Sequence, residues 1–210
     1  MIVSQFRPMA DLAYSERGNV VIEILDEPLS KLPEHGSISI AFRVESVLQA
    51  LPLEGGMGGI TLREQIVDNP YVKDYDAIKG EGPTRWLTRF DVTNWGLKAA
   101  YVDGKRIGGA VIAHDTASVD LLEHRTDLAI LWDLRVEPAT RRFGVGRSLF
   151  YAAEEWARER HCTQLQIETQ NVNVPACRFY MNMNCVLRSI DRFAYPNLPA
   201  EIQLLWIKEL

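Results

Sequence analysis

A chain of 210 residues is long enough for one domain with a full hydrophobic core and too short for a large multidomain assembly. With 47% hydrophobic and 24% charged residues, and no run near the ~18 apolar positions of a membrane span, it reads as an ordinary globule rather than a membrane protein. Lys plus Arg total 23 against 28 for Asp plus Glu, a net charge of -5 that disfavours a surface tracking a nucleic-acid backbone.

Residues 1–17 interleave Arg7, Asp11, Glu16 and Arg17 with apolar positions, so there is no uninterrupted signal-peptide core and a cytoplasmic protein is expected. Residues 20–24, 37–44 and 59–64 mix β-branched with polar side chains and predict half-buried strands. Gly55, Gly56, Gly58 and Gly59 predict a flexible turn, and residues 68–84, with Pro70, Gly80, Gly82 and Pro83, predict a long loop. A hairpin follows: residues 97–102, the turn pair Asp103-Gly104, and residues 106–112. The polar stretch 114–127 is expected to be another connection.

From residue 128 onward the pattern runs strand, helix, strand, helix, strand, strand. Residues 129–136 form a predicted strand bounded by Pro138, and Val145, Leu149, Ala152, Ala153, Trp156 and Ala157 recur at helical spacing. Residues 164–168 alternate as a strand, and Asn173 is placed to cap a helix whose first turn tolerates Pro175 and which runs to about residue 182. Residues 187–195 and 202–208 close the chain as a strand pair. One mixed α/β sheet, its N-terminal strands contiguous with the rest, is the economical architecture. Trp206 and the last strand serve either the core or a second subunit, which leaves a homodimer open. Cys162, Cys177 and Cys185, an odd number without a C-x-x-C pair, predict free buried thiols, and no metal-ligand cluster is expected.

The chemistry concentrates between the strand ending at Val136 and the helix opening near Gly144, in Arg141-Arg142-Phe143-Gly144-Val145-Gly146-Arg147. Glycines remove the Cβ atoms that would hold a ligand away, and a helix start offers unpaired N–H groups and the positive end of its dipole. Three arginines add charge-assisted donors for an anion such as a diphosphate. A glycine turn with a solvated basic rim would share the pattern. Leu149 breaks the dinucleotide fingerprint, and the Lys-Ser/Thr pair of a P-loop is missing, so neither NAD nor ATP is favoured.

Val136-x-Pro138-x-x-Arg141-Arg142-x-Gly144-x-Gly146 resembles the acyl-coenzyme A signature of the GNAT superfamily of N-acetyltransferases, and Asn173-x-x-Ala176-x-x-Phe179-Tyr180 resembles its second signature. Phe42-Arg43-Val44, Thr61-Leu62-Arg63-Glu64 and residues 168–180 look like segments of streptothricin acetyltransferases, from about residue 40 to the end of the chain. The resemblance implies an α+β fold, a mixed and mainly antiparallel twisted sheet flanked by helices, spanning residues 37–210 with residues 1–36 as an extension packed on it. It also implies acetyl-coenzyme A as cosubstrate. The diphosphate would lie on Arg141, Arg142, Phe143, Gly144, Val145, Gly146 and Arg147, and the pantetheine arm along Leu134, Arg135 and Val136. Asn173 and Ala176 would flank that arm, and Tyr180 would sit beside the sulfur.

Amide formation needs an uncharged amine, yet a lysine-like ammonium has a pKa of about 10.4, so a carboxylate or water chain must accept a proton. Asp133 is the candidate, as base or as substrate anchor, and a period of two puts it on one strand face with Arg135, opposite Trp132, Leu134 and Val136. Tyr180 is the phenol that would assist the departing thiolate. Glu168, Asp191 and Tyr195 are candidate acceptor-binding residues. Acetyl transfer to a primary amine of a small cationic molecule, of the streptothricin type, is the expected activity. Another small amine, a polyamine or a protein amine, or a non-catalytic acyl-coenzyme A-binding module, are the alternatives.

Overall fold

The computed structural model describes residues 21–210. Among these, seven strands form one sheet in the order β1-β4-β5-β6-β7-β9-β8, comprising Glu23–Glu27 (β1), Gly96–Val102 (β4), Lys105–His114 (β5), Leu128–Val136 (β6), Gln164–Gln170 (β7), Val186–Asp191 (β8) and Gln203–Glu209 (β9). All neighbours are antiparallel except β6 and β7. The α+β architecture expected from the sequence is the one observed. The contiguity of the N-terminal strands is not: Phe42–Pro52 (β2) and Ile60–Lys73 (β3) make a separate two-stranded ribbon. Asn171 ties that ribbon to the main body, since its side-chain amide donates to the Leu48 carbonyl and its own carbonyl accepts from the Leu48 N–H.

Three local expectations need correction. The strand expected at 37–44 begins only at Phe42, and the short helix Leu32–Gly36 (α1) precedes it. The loop expected at 68–84 is strand as far as Lys73 and helix from Pro83 to Arg89 (α2), where Pro83 stands in the first turn that tolerates it. The strand expected at 187–195 ends at Asp191. The β4–β5 hairpin forms as read, because Asp103 and Gly104 take φ of 50° and 73°, the left-handed pair that a tight hairpin of native twist requires.

The helix Val145–Arg158 (α3) lays Val145, Leu149, Ala153, Trp156 and Ala157 on one face of the sheet, over Ile112, Leu131 and Leu165. On the opposite face Leu32 of α1 and Trp86 of α2 pack with Trp95, Leu97 and Ile130. Trp206, buried and donating its indole N–H to Thr169 Oγ1 at 2.9 Å, completes the first of these cores rather than an outer surface. Gly96 is where α3 meets β4 most closely: a Cβ there would stand 2.4 Å from the Trp156 indole. Gly96→Ala is therefore expected to destabilise the fold by about 1–3 kcal/mol, read as a lower melting temperature in calorimetry.

What positions the site is the parting of β6 from β7. Their parallel pairing runs only from Leu128–Gln164 to Leu131–Ile167; beyond it β6 stays on β5 and β7 stays on β9. At the same level β6 carries a bulge, since Leu131 pairs with Ile112 and Asp133 with Val111, leaving Trp132 as the extra residue. The bulge resets the alternation. Trp132 was expected beside Leu134 and Val136, yet it packs on the α2 side, 5.2 Å from the ring centres of both Phe90 and Trp95, whereas Leu134 and Val136 face the α3 core.

Candidate active site

A cleft of about 1320 Å³ opens where the two strands diverge. Leu131 to Val136 form one wall, Glu168, Thr169 and Gln170 the other, and the α3 entrance and the helix Val174–Asn182 (α4) supply the remainder. Leu134 and Val136 lie on this wall, and among the described residues no strand pairs with the β6 edge facing β7 beyond Leu131, so backbone groups there, other than the Val136 carbonyl that Arg141 occupies, can meet an extended ligand.

At one end of the cleft lies the glycine turn. Arg142 and Gly144 hold φ of 73° and 90°, and α3 starts at Val145. Ser148 is the first residue whose N–H turns back into the helix, to the Gly144 carbonyl at 3.0 Å, so the amides of Val145, Gly146 and Arg147 open α3 without intrahelical partners. These features fit a diphosphate at a helix N-terminus. Arg142, Phe143 and Arg147 are exposed on the rim, and the Val145 side chain is buried in the core, leaving only its backbone for a ligand. The guanidinium of Arg141 is differently employed from the expectation: it donates to the carbonyls of Val136, Ser39 and Ala41 and pins the segment before β2 to the cleft. Arg178, which the sequence reading passed over, lines the cleft beside it and pairs with Glu64 of β3.

Asn173 caps α4 by accepting the Ala176 N–H at 3.2 Å; both residues line the cleft. Tyr180, two turns into α4, is 7% exposed, with its ring 5.1 Å from Phe179 and 6.0 Å from Phe150. Its hydroxyl has no hydrogen-bond partner among the described residues. Burial, reinforced by the negative charge of Asp133, pushes the phenol well above its ordinary pKa, so it stays protonated. The Cys177 thiol beside it is buried against Thr169 Oγ1 at 3.4 Å, and desolvation pushes its pKa up, away from the thiolate a nucleophile needs.

Asp133 sits in the middle. Its Oδ2 accepts from Arg135 Nε at 2.6 Å and faces His35 Nε2 at 3.1 Å. Burial raises its pKa, but the His35 hydrogen bond and the Arg135 charge more than offset that and leave the carboxyl below the ordinary value. Arg135 was expected at the coenzyme. Its side chain is 1% exposed and turned to the α1 side, where Asp76 Oδ1 and Oδ2 accept from it at 2.9 and 2.5 Å, and its backbone pairs with Gly109 of β5.

The other wall carries Glu168. Its Oε1 accepts from Tyr195 Oη at 2.5 Å and its Oε2 from Gln203 Nε2 at 2.9 Å; no Lys, Arg or His among the described residues pairs with it. Tyr195 reaches the site only through Glu168 and Gln170. Asp191 does not reach it at all: it is exposed at the end of β8, and its carboxylate accepts the Phe193 N–H at 2.7 Å. Its place is taken by Tyr75, which lines the cleft and donates to Glu201 Oε2 at 2.6 Å, with Lys73 on the other oxygen.

Splayed central strands, a helix-start cradle for a diphosphate and a buried phenol beside an ionised carboxylate define an acyl-carrier-dependent transferase. The acetyltransferase (GNAT) family model matches residues 64–184, and the chain belongs to this family; it is an enzyme that takes its acetyl group from acetyl-coenzyme A. It is 38% identical over 155 residues to the streptothricin acetyltransferase A of Bacillus subtilis (strain 168), covering 70% of this chain and 78% of that protein. Crystallographic nourseothricin acetyltransferase superposes with a TM-score of 0.70 at 25% identity, over 90% of this chain and 98% of that one. A protein of Bacillus anthracis str. Ames solved in complex with acetyl coenzyme A superposes equally well, at 23% identity over 90% of this chain and all of the other.

Proposed function

We propose that the enzyme acetylates a primary amine of a small polycationic molecule of the streptothricin type by direct transfer. The observation that carries this reading is Glu168, a half-buried carboxylate on the cleft wall opposite Asp133 with no cationic side chain to neutralise it among the described residues. Such a charge is costly to desolvate unless a cationic ligand completes it. Relatives named streptothricin and nourseothricin acetyltransferases support the same acceptor class.

Acetyl-coenzyme A supplies an acetyl group activated as a thioester, with a thiolate as leaving group. The amides of Val145, Gly146 and Arg147 hold its diphosphate, and the open edge of β6 at Leu134 and Val136 orients its arm, with Asn173 and Ala176 of α4 opposite. Asp133 anchors the acceptor ammonium rather than deprotonating it. Leaving the proton of an ammonium of pKa about 10.4 on a carboxyl at or below its ordinary value of about 3.9 is uphill by about 9 kcal/mol, whereas releasing it to bulk buffer at about pH 7 costs about 5 kcal/mol, so the proton ends in the bulk solvent. Tyr180 donates a hydrogen bond to the developing thiolate and keeps its own proton, because a phenolate beside Asp133 is strongly disfavoured. Such a reaction belongs to the cytoplasm, where its acetyl donor is made and used.

The test is thiol release from acetyl-coenzyme A in the presence of streptothricin, with mass spectrometry of the product. Release coupled to a monoacetylated antibiotic is the expected result; release only with other small amines or with peptides would overturn the acceptor assignment.

A further inference from the structure

We infer that His35, on a short helix outside the family's signature segments, is a positioning residue that fixes the Asp133 carboxylate for the acceptor amine. This rests on the anchoring role proposed for Asp133. His35 is fully buried, and its Nε2 lies 3.1 Å from Asp133 Oδ2 across 98 residues of sequence. Its Nδ1 is also buried and has no hydrogen-bond partner among the described residues. Only a hydrogen on Nε2 makes a bond here, because an unprotonated Nε2 would set a lone pair against the carboxylate.

Room for the ring comes from Gly109 of β5, where a Cβ would stand 2.5 Å from Nδ1. Gly109 in turn pairs with Arg135 in β6, so the ring is held directly behind the strand that carries Asp133. Arg135 Nε takes the same Oδ2 at 2.6 Å and is itself clamped by both oxygens of Asp76. Two donors thus occupy Oδ2, while Oδ1 has no hydrogen-bond partner among the described residues and is left to the cleft. Burying an imidazole with one nitrogen unsatisfied costs stability, which a purely structural position would avoid with an apolar residue.

The experiment compares His35→Leu and His35→Gln in the wild-type and Asp133→Asn backgrounds, using streptothricin and acetyl-coenzyme A. For His35→Leu, kcat/KM for the amine is expected to fall about tenfold to a hundredfold, as small misplacements of a reacting group do, with the calorimetric Kd for acetyl-coenzyme A within about twofold. His35→Gln, which keeps a donor near Nε2, is expected to recover most of that loss. In the Asp133→Asn background His35→Leu is expected to cost nothing further. If His35→Leu does not fold, His35→Asn, whose amide is too short to reach Asp133, takes its place. An unchanged kcat/KM, a Gln variant as impaired as Leu, or an undiminished loss in the Asp133→Asn background overturns the inference. An Asp133→Asn enzyme with full activity instead overturns the anchoring role on which it rests.

Discussion

Replacing Tyr180 by Phe is expected to lower turnover by about two to three orders of magnitude while leaving the affinity for acetyl-coenzyme A within about threefold. The change removes one oxygen and nothing else from the ring, which is held by Phe150 and Phe179 through edge and tilted contacts that Phe keeps. Since the hydroxyl makes no hydrogen bond among the described residues, its loss orphans no buried partner, and the melting temperature is expected to hold or rise. The rate effect follows from the leaving group: a thiolate of pKa about 8.5 expelled into an apolar floor needs a donor, and a positioned donor is typically worth about 10²–10⁴ in rate. Because burial pushes the Tyr180 phenol upward, no loss of activity from its ionisation is expected as pH rises toward 10. Steady-state kinetics in both substrates, with calorimetry of coenzyme binding, separates the two quantities. Turnover unchanged within threefold would remove Tyr180 from the reaction.

Asp133→Asn is expected to reduce kcat/KM for the amine by about a hundredfold, again with little change in coenzyme affinity. Asn is isosteric, so Arg135 retains its two bonds to Asp76 and the strand keeps its place. What disappears is the negative charge, worth several kcal/mol against an ammonium held in a half-desolvated cleft. The pH dependence distinguishes an anchor from a base. With the carboxyl below its ordinary value it is ionised throughout pH 5–8, so it contributes no acid limb there, and the rate rises with pH only as the amine itself deprotonates. A wild-type kcat/KM profile with a break near neutrality that vanishes in Asp133→Asn would reinstate the carboxylate as base. The same depressed pKa makes a stability contribution that is complete above the unfolded value near 4 and is lost as pH falls through the folded one, so Asp133→Asn is expected to flatten the acid side of the melting curve.

Much of the coenzyme half was legible in the chain because it is local. A turn of two glycines, the helix it opens and the Asn173 cap are each set within a few residues, by φ values and first-turn amides that need no distant partner. The acceptor half was not. His35 and Glu201 come from segments that carry no signature, and their roles, like those of Tyr75 and Asp76, exist only through contacts with Asp133, Arg135 and the cleft wall. Arg141 shows the converse, for an arginine beside a glycine turn suggests a phosphate ligand until the structure puts carbonyls around it, and Arg135, expected on the strand along the pantetheine arm, turns its side chain to carboxylates. Nothing in the spacing of residues 35 and 133 announces their contact.

The sequence by itself determined the α+β class, the β4–β5 hairpin, the two helices that flank the cleft and the family to which the chain belongs. Periodicity, turn chemistry and helix-start geometry are short-range properties, written in adjacent residues. Only the tertiary structure decided which face Trp132 takes, that Asp191 stands outside the cleft and that the β2–β3 ribbon leaves the main sheet. The first turns on a one-residue bulge, which inverts every side chain beyond it, and the other two on which strands find each other across tens of residues.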